Sequence, residues 1–88
     1  MEFSEKELNI AITHVILVHC VRSKITINRL AKLSGIRQST LDNILKGKSG
    51  CPRLDTLMKI SDGLKLHFVD FIKTVIDVLN GQFLGLKD

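Results

Sequence analysis

The sequence predicts an all-α fold of five helices in one small domain. The chain has 88 residues, a length typical of a single domain. Apolar residues recur at helical spacing in five segments, and no stretch alternates between apolar and polar residues for long enough to predict a strand. Capping residues and glycines separate the segments. We therefore assign residues 1–80 to one domain and residues 81–88 to a short C-terminal tail.

The first helix is predicted to begin at residue 5 and to end at residue 22 or 23. Ser4 and Glu7 have the spacing of a capping box, which marks a helix start. One broad apolar face consists of Leu8, Ala11, Ile12, Val15, Ile16 and Val18. A second apolar face, almost opposite, consists of Ile10, Leu17 and Val21. A helix that is apolar on both sides is normally buried on both. A chain of 88 residues has few other segments that could cover both sides of this helix.

Two short helices joined by a glycine follow. Thr26 is the predicted N-cap of a helix over residues 27–33. Gly35 comes next, where a left-handed backbone causes no Cβ clash. A third helix is predicted over residues 37–46. Two short helices joined by a tight turn with a glycine form a helix-turn-helix, which we place at about residues 27–46.

The third helix has one face that is entirely polar. Leu41, Ile44 and Leu45 cluster within roughly 100° of arc and predict its buried side. The opposite side contains Gln38, Ser39, Asp42, Asn43 and Lys46. Amide and hydroxyl side chains can hydrogen-bond base edges, and the major groove of DNA is wide enough for one helix. This face therefore favours base recognition over simple solvation.

The fourth helix is predicted from the helical spacing of Leu54, Leu57, Met58, Ser61 and Leu64. The fifth, an extended C-terminal helix, is predicted over residues 67–79. Its apolar residues fill an arc of about 180°, wider than the roughly 100° stripe that packs one face. These residues are Phe68, Val69, Phe71, Ile72, Val75, Ile76, Val78 and Leu79. Either the tail folds back and covers the extra apolar surface with Phe83, Leu84 and Leu86, or a second chain covers that surface.

Basic residues are concentrated in the middle of the chain. Residues 22–53 contain eight lysines and arginines and one acid, Asp42, which gives this segment a charge of +7. The rest of the chain contains five basic residues and eight acids, and its charge is −3. Solubilising surfaces usually mix both signs, whereas segregated positive charge indicates a polyanionic partner such as nucleic acid.

Several other classes of protein are disfavoured. The start of the chain has no basic signal-peptide region, and the apolar run at residues 8–21 is shorter than the roughly 20 residues that span a bilayer. We therefore expect a cytoplasmic protein without a membrane partner. Cys20 and Cys51 are expected to be reduced. The histidines lack metal-ligand spacing, and no motif activates a nucleophile, so we predict no metal, no cofactor and no catalysis.

Residues 26–72 resemble the phage-repressor and Cro class of helix-turn-helix proteins, often called Xre-like. The matching residues are Thr26, Leu30, Ala31, Gly35, Ile36, Ser39, Thr40, Leu41, Ile44, Gly47, Pro52, Leu54, Thr56, Leu57, Lys59, Ile60, Leu64 and Phe71. The resemblance implies a five-helix, lambda-repressor-like DNA-binding domain. Ile27, Arg37, Leu45 and Lys65 depart from the residues usual in the family, which has a glycine where Lys65 stands.

The resemblance and the helical wheel together yield the predicted site. Base contacts are predicted for Gln38, Ser39, Thr40, Asp42 and Asn43. Phosphate contacts are predicted for Lys24, Thr26, Arg37, Lys46, Lys48 and Arg53. The partner implied is double-stranded DNA.

The predicted function is sequence-specific transcriptional regulation, as a repressor that binds an inverted-repeat operator as a homodimer through the helix at residues 37–46. The dimer interface is predicted at Val69, Ile72, Ile76, Leu79, Phe83 and Leu84, with the second face of the first helix as the other candidate. The alternative is a protein-interaction module on the same fold. Such a module would be an antitoxin or anti-repressor that masks a toxin or another regulator.

Overall fold

The computed structural model describes residues 3–48 and 50–81, and five α-helices account for most of them. They are α1 (Glu5–Ser23), α2 (Ile27–Ser34), α3 (Gln38–Leu45), α4 (Leu54–Gly63) and α5 (Phe68–Leu79). All five predicted helices are confirmed, and the described residues contain no strand. The α2 helix extends one residue further than predicted, to Ser34. The predicted bounds of α3 and α5 were too wide because Arg37, Lys46 and His67 are caps.

The helices pack around one core. The α1 helix lies against α5 and α3, the α2 helix lies against α3 and α4, and α4 also contacts α5. Ile16, Leu30, Leu41, Ile60 and Phe71, one from each helix, are fully buried at the centre. The core therefore joins the helix-turn-helix of α2 and α3 to the other three helices.

Two predicted helix starts are confirmed in atomic detail. The backbone N–H of Glu7 donates to Ser4 Oγ over 3.0 Å, and the N–H of Ser4 donates to Glu7 Oε1 over 2.9 Å. Thr26 Oγ1 accepts from the N–H of Arg29 over 3.0 Å. Each cap satisfies backbone N–H groups that have no partner within their helix.

Left-handed residues close two of the helices in the same way. Gly35, with φ of 71°, ends α2, and the N–H of Ile36 donates to Ala31 O over 3.1 Å. At the end of α4, Lys65 has φ of 61°, and the N–H of Leu66 donates to Ser61 O over 2.9 Å. Both ends have the hydrogen-bond pattern of a Schellman motif, in which glycine is the usual left-handed residue.

The closest approach between α2 and α4 lies at Ser34 and Gly63. A Cβ added to Gly63 would lie 3.0 Å from Ser34 N and 3.2 Å from Leu30 Cδ1, and closer still to Ser34 Oγ. A side chain added at position 63 would therefore collide with α2.

Apolar side chains lie outside the core on α1 and α5, and also at Leu33 of α2 and at Leu54 and Met58 of α4. On α1, the predicted second face is exposed: Ile10, Leu17 and Val21 are 59%, 42% and 77% exposed. On α5, Val69 and Ile76 are 75% and 41% exposed. Phe68, Ile72 and Leu79 are instead partly buried against the core. The exposed apolar surface of α5 is therefore narrower than the helical wheel predicted. Phe83, Leu84 and Leu86 lie outside the described residues.

Within residues 3–48 and 50–81, no helix by itself is long and apolar enough to cross a membrane. The α1 and α2 helices meet that test only as a pair, and the chain bends by 102° between them.

Candidate nucleic-acid interface

The α3 helix turns its polar face outward, as the spacing predicted. Leu41 and Ile44 are buried and attach the helix to the core. Four of the predicted base-contacting residues are exposed: Gln38, Ser39, Thr40 and Asn43. Asp42, the fifth, is half-buried. The helix therefore has an accessible face of amide and hydroxyl groups.

Thr40 lies at the edge of this face. Together with Asn43 it lines a groove of about 250 Å³ whose other wall includes Pro52, Arg53 and Thr56. The groove runs between α3 and the first turn of α4, so the Thr40 side chain of α3 faces a space that α4 also borders.

The predicted phosphate contacts lie at helix ends and in loops. All six are exposed: Lys24, Thr26, Arg37, Lys46, Lys48 and Arg53. Thr26, Arg37 and Arg53 are the N-caps of α2, α3 and α4, and Lys46 is the C-cap of α3. Arg37 and Lys46 therefore lie at the two ends of α3, and the other basic residues lie at the ends of neighbouring helices or in loops.

The first turns of α3 and α4 keep free hydrogen-bond donors. Neither Arg37 nor Arg53 accepts a capping hydrogen bond with its side chain. The backbone N–H groups of a helix start carry a partial positive charge and can bind an anion. The start of α3 thus combines backbone donors with the Arg37 guanidinium, which is a favourable combination for a phosphate. At the start of α4, Asp55 Oδ1 already accepts from the N–H of Thr56 over 2.9 Å, and its negative charge makes that start less favourable for an anion.

Arg53 is also paired with an acid. Its Nε atom lies 3.3 Å from Asp55 Oδ1, and both side chains are largely exposed. Exposed pairs of this kind contribute little to stability. The pair leaves the two terminal nitrogens of the Arg53 guanidinium available to another partner.

A family model for the Cro/C1-type HTH DNA-binding domain matches residues 16–77, from the middle of α1 to near the end of α5. The chain belongs to this family. The match confirms the resemblance noted in the sequence and extends it toward the N-terminus. Comparison with curated proteins and with solved structures finds no match in either. As a Cro/C1-type domain, the chain is a DNA-binding regulator, and DNA is its partner.

The loop between α3 and α4 of this Cro/C1-type domain is attached to the start of α1. The N–H of Cys51 donates to Glu5 Oε2 over 3.3 Å, and Cys51 Sγ donates to Glu5 O over 3.4 Å. Burial raises the pKa of the Cys51 thiol, and the Glu5 carboxylate raises it further. Sequence reasoning missed this contact because 46 positions separate the two residues and neither lies in a motif.

Metal ligands do not cluster in the described part of the chain. No group of three or more histidine, cysteine or acidic residues there could hold a metal ion. Burial, followed by the neighbouring Arg22, lowers the pKa of His19. Both effects disfavour its charged form on a helix that faces the core.

Proposed function

We propose that this Cro/C1-type domain is a cytoplasmic transcriptional repressor that binds an inverted-repeat operator as a homodimer and reads it with α3. The observation that carries the proposal is the exposed polar face of α3, bordered by basic helix caps. Occupying an operator is the simplest mode of regulation for a domain of 88 residues.

Each side chain on this face suits a part of the major groove. Gln38 can bond adenine through two atoms, and Asn43 can do the same at shorter reach. Ser39 and Thr40 can bond either type of base, and the Thr40 methyl group can contact a thymine methyl. Asp42 can accept a bond from the cytosine amino group, and its charge disfavours sites that place a phosphate there.

The basic residues around α3 would set its position on the duplex. Phosphate contacts fix register and orientation but carry little sequence information. Arg37 and Lys46 lie at the two ends of α3, so contacts from both would hold the helix along the groove. Lys24, Thr26, Lys48 and Arg53 would extend the backbone contacts on either side.

A second copy of the chain would supply the rest of the binding energy. One small module buries less surface than specific DNA affinity normally needs, and two-fold related modules read half-sites about 34 Å apart. Val69, Ile72, Ile76 and Leu79 follow the three-and-four spacing of a coiled-coil seam. Val69 and Ile76 are its most exposed members. We propose this seam as the dimer interface, with Phe83 and Leu84 in the adjoining tail.

In vitro selection of bound DNA from a random pool tests the proposal. We expect an inverted repeat to emerge, and we expect Gln38→Ala and Asn43→Ala to relax its specificity, each at a cost of about 1–3 kcal/mol on the selected site. Asn80→Ala, an exposed amide at the end of α5, is the control and should bind like wild type. Wild-type affinity in both α3 variants would show that α3 does not read the bases.

A second candidate function rests on the exposed second face of α1. Ile10, Leu17 and Val21 form an apolar stripe, and exposed apolar patches often mark protein interfaces. On this reading the domain is an antitoxin or anti-repressor that masks a toxin or another regulator. Purification from the native host distinguishes this function from DNA-binding repression. If another protein co-purifies in stoichiometric amount and the domain is not retained on genomic DNA, the domain is a protein-interaction module.

A further inference from the structure

The loop at residues 46–53 is hydrogen-bonded to the first turn of α1 through Cys51. Cys51 donates its backbone N–H to the Glu5 carboxylate over 3.3 Å and its thiol to the Glu5 carbonyl over 3.4 Å. A Cβ added to Gly50 would lie 2.8 Å from Glu5 Oε2. The carboxylate therefore lies directly against the loop backbone.

Asn9 of α1 lies near the start of the same loop. Asn9 is 8% exposed, and a Cβ added to Gly47 would lie 3.3 Å from its Nδ2 atom. Gly47 and Gly50 both have positive φ, of 70° and 72°. The loop thus passes close to α1 at both glycines, in a backbone conformation that a residue with a Cβ rarely adopts.

We propose that Glu5 is a positioning residue for DNA binding, which holds the loop so that its basic residues meet the phosphate backbone. The proposal rests on the proposed function, because it takes Lys46, Lys48 and Arg53 as phosphate contacts. Lys46, Gly47 and Lys48 donate backbone hydrogen bonds to carbonyls of α3, whereas the hydrogen bonds of Cys51, two residues before Arg53, go to Glu5. A loop that is already ordered binds without a further loss of conformational entropy.

The charge of Glu5 makes the proposal easy to test, because charge and position act in opposite directions. A carboxylate beside a phosphate-binding loop repels DNA. If Glu5 acts only as a charge, its removal should tighten DNA binding. If Glu5 positions the loop, its removal should weaken binding although the protein becomes more positive.

Binding of Glu5→Ala to the selected operator and to unrelated DNA, measured at several salt concentrations, decides between these outcomes. We expect about tenfold weaker binding to all sequences. We also expect the salt slope, which is the slope of the logarithm of the binding constant against the logarithm of salt concentration, to be smaller by about one, as for the loss of one phosphate contact. Glu5→Gln keeps an acceptor oxygen of the same reach and should bind at least as tightly as wild type. Unchanged or tighter binding in Glu5→Ala would overturn the proposal.

Glu7→Ala is the matched control, since it removes the same charge from the same turn. Glu7 completes the capping box, and its hydrogen bonds are with Ser4. Glu7→Ala should lower the melting temperature and leave the salt slope unchanged. If it reproduced the slope of Glu5→Ala, the cause would be fraying of α1, and Glu5 would have no positioning role.

Lys48→Ala separates a failure of this proposal from a failure of the proposed function. A wild-type salt slope in Lys48→Ala would show that the loop does not contact phosphate, and the role of Glu5 would fall with that contact. A reduced slope in Lys48→Ala, together with a wild-type slope in Glu5→Ala, would leave the phosphate contact in place and overturn only the role of Glu5.

Discussion

Lys65 has the backbone conformation of a glycine. Its φ is 61°, and the N–H groups of Lys65 and Leu66 close the end of α4 on Asp62 O and Ser61 O. A left-handed conformation costs a residue with a Cβ about 1–2 kcal/mol, and the family resemblance places a glycine here. The Lys65 side chain is exposed, so replacing it removes no buried contact.

Lys65→Gly should therefore stabilise the domain. The relief of strain exceeds the extra entropy that glycine loses on folding, and we expect a gain of about 0.5–1 kcal/mol and a higher melting temperature. Lys59→Gly, an exposed lysine within α4, is the control and should cost about 1 kcal/mol. A loss of stability in Lys65→Gly would contradict the strained conformation.

Lys46 provides the single-residue test of backbone binding. It is exposed at the C-terminal end of α3 and, among residues 3–48 and 50–81, has no ion pair, unlike Arg53. Lys46→Ala should weaken binding to all sequences alike and reduce the salt slope by about one. A loss confined to one sequence, in a filter-binding or fluorescence titration, would instead assign Lys46 to a base contact.

At the scale of the elements, the position of α2 depends on how closely it approaches α4. Ser34 is buried, and its Oγ atom has no hydrogen-bond partner within the described structure. Gly63 lies against it without a side chain. The contact holds α2, and through it the helix-turn-helix, close to the core. Neither residue is apolar, so hydrophobic spacing gives no indication of this contact.

Gly63→Ala should destabilise the fold, although alanine is the better helix former. The new methyl group would collide with Ser34, and overpacking of this kind costs about 1–3 kcal/mol. Ser34→Ala in the same chain should recover part of the loss, because it removes the nearest atom. Urea denaturation measures both variants. A Gly63→Ala variant as stable as wild type would show that the two helices can separate at no cost.

At the scale of the whole molecule, two apolar stripes lie on helices that pack against each other. The α5 stripe has the spacing of a helix seam, whereas the α1 stripe is the more exposed of the two. Charge is distributed unevenly as well, since the basic segment at residues 22–53 contains α3 and the remaining chain is mildly acidic. A dimer that buries an apolar stripe would leave the basic surface free for DNA.

Ile76→Asp should prevent dimer formation. A carboxylate buried in an apolar interface without a partner is strongly unfavourable, so we expect a helical monomer that no longer binds the operator at physiological salt. Light scattering and circular dichroism measure the two properties. Met58→Asp, at another exposed apolar residue, should remain dimeric. If the wild-type protein is a monomer at tens of micromolar, the dimer proposal is wrong. If the Leu17→Asp variant is monomeric and the Ile76→Asp variant is dimeric, the interface lies on α1.

The amino-acid sequence by itself determined the features that depend on local interactions. The capping box at Ser4 and Glu7, the N-cap at Thr26 and the turn at Gly35 involve residues a few positions apart, so their spacing predicts the helix ends. The outward face of α3 follows from helical periodicity in the same way. The family and the all-α fold are recognisable from these features alone.

The tertiary structure decided which distant residues meet. The support of the loop by Glu5, the close approach at Gly63 and the partial burial of Ile72 and Leu79 all depend on how separate helices pack. Periodicity shows which side chains share a face of a helix. It does not show what lies opposite that face, because burial and hydrogen bonding between distant segments depend on the whole fold.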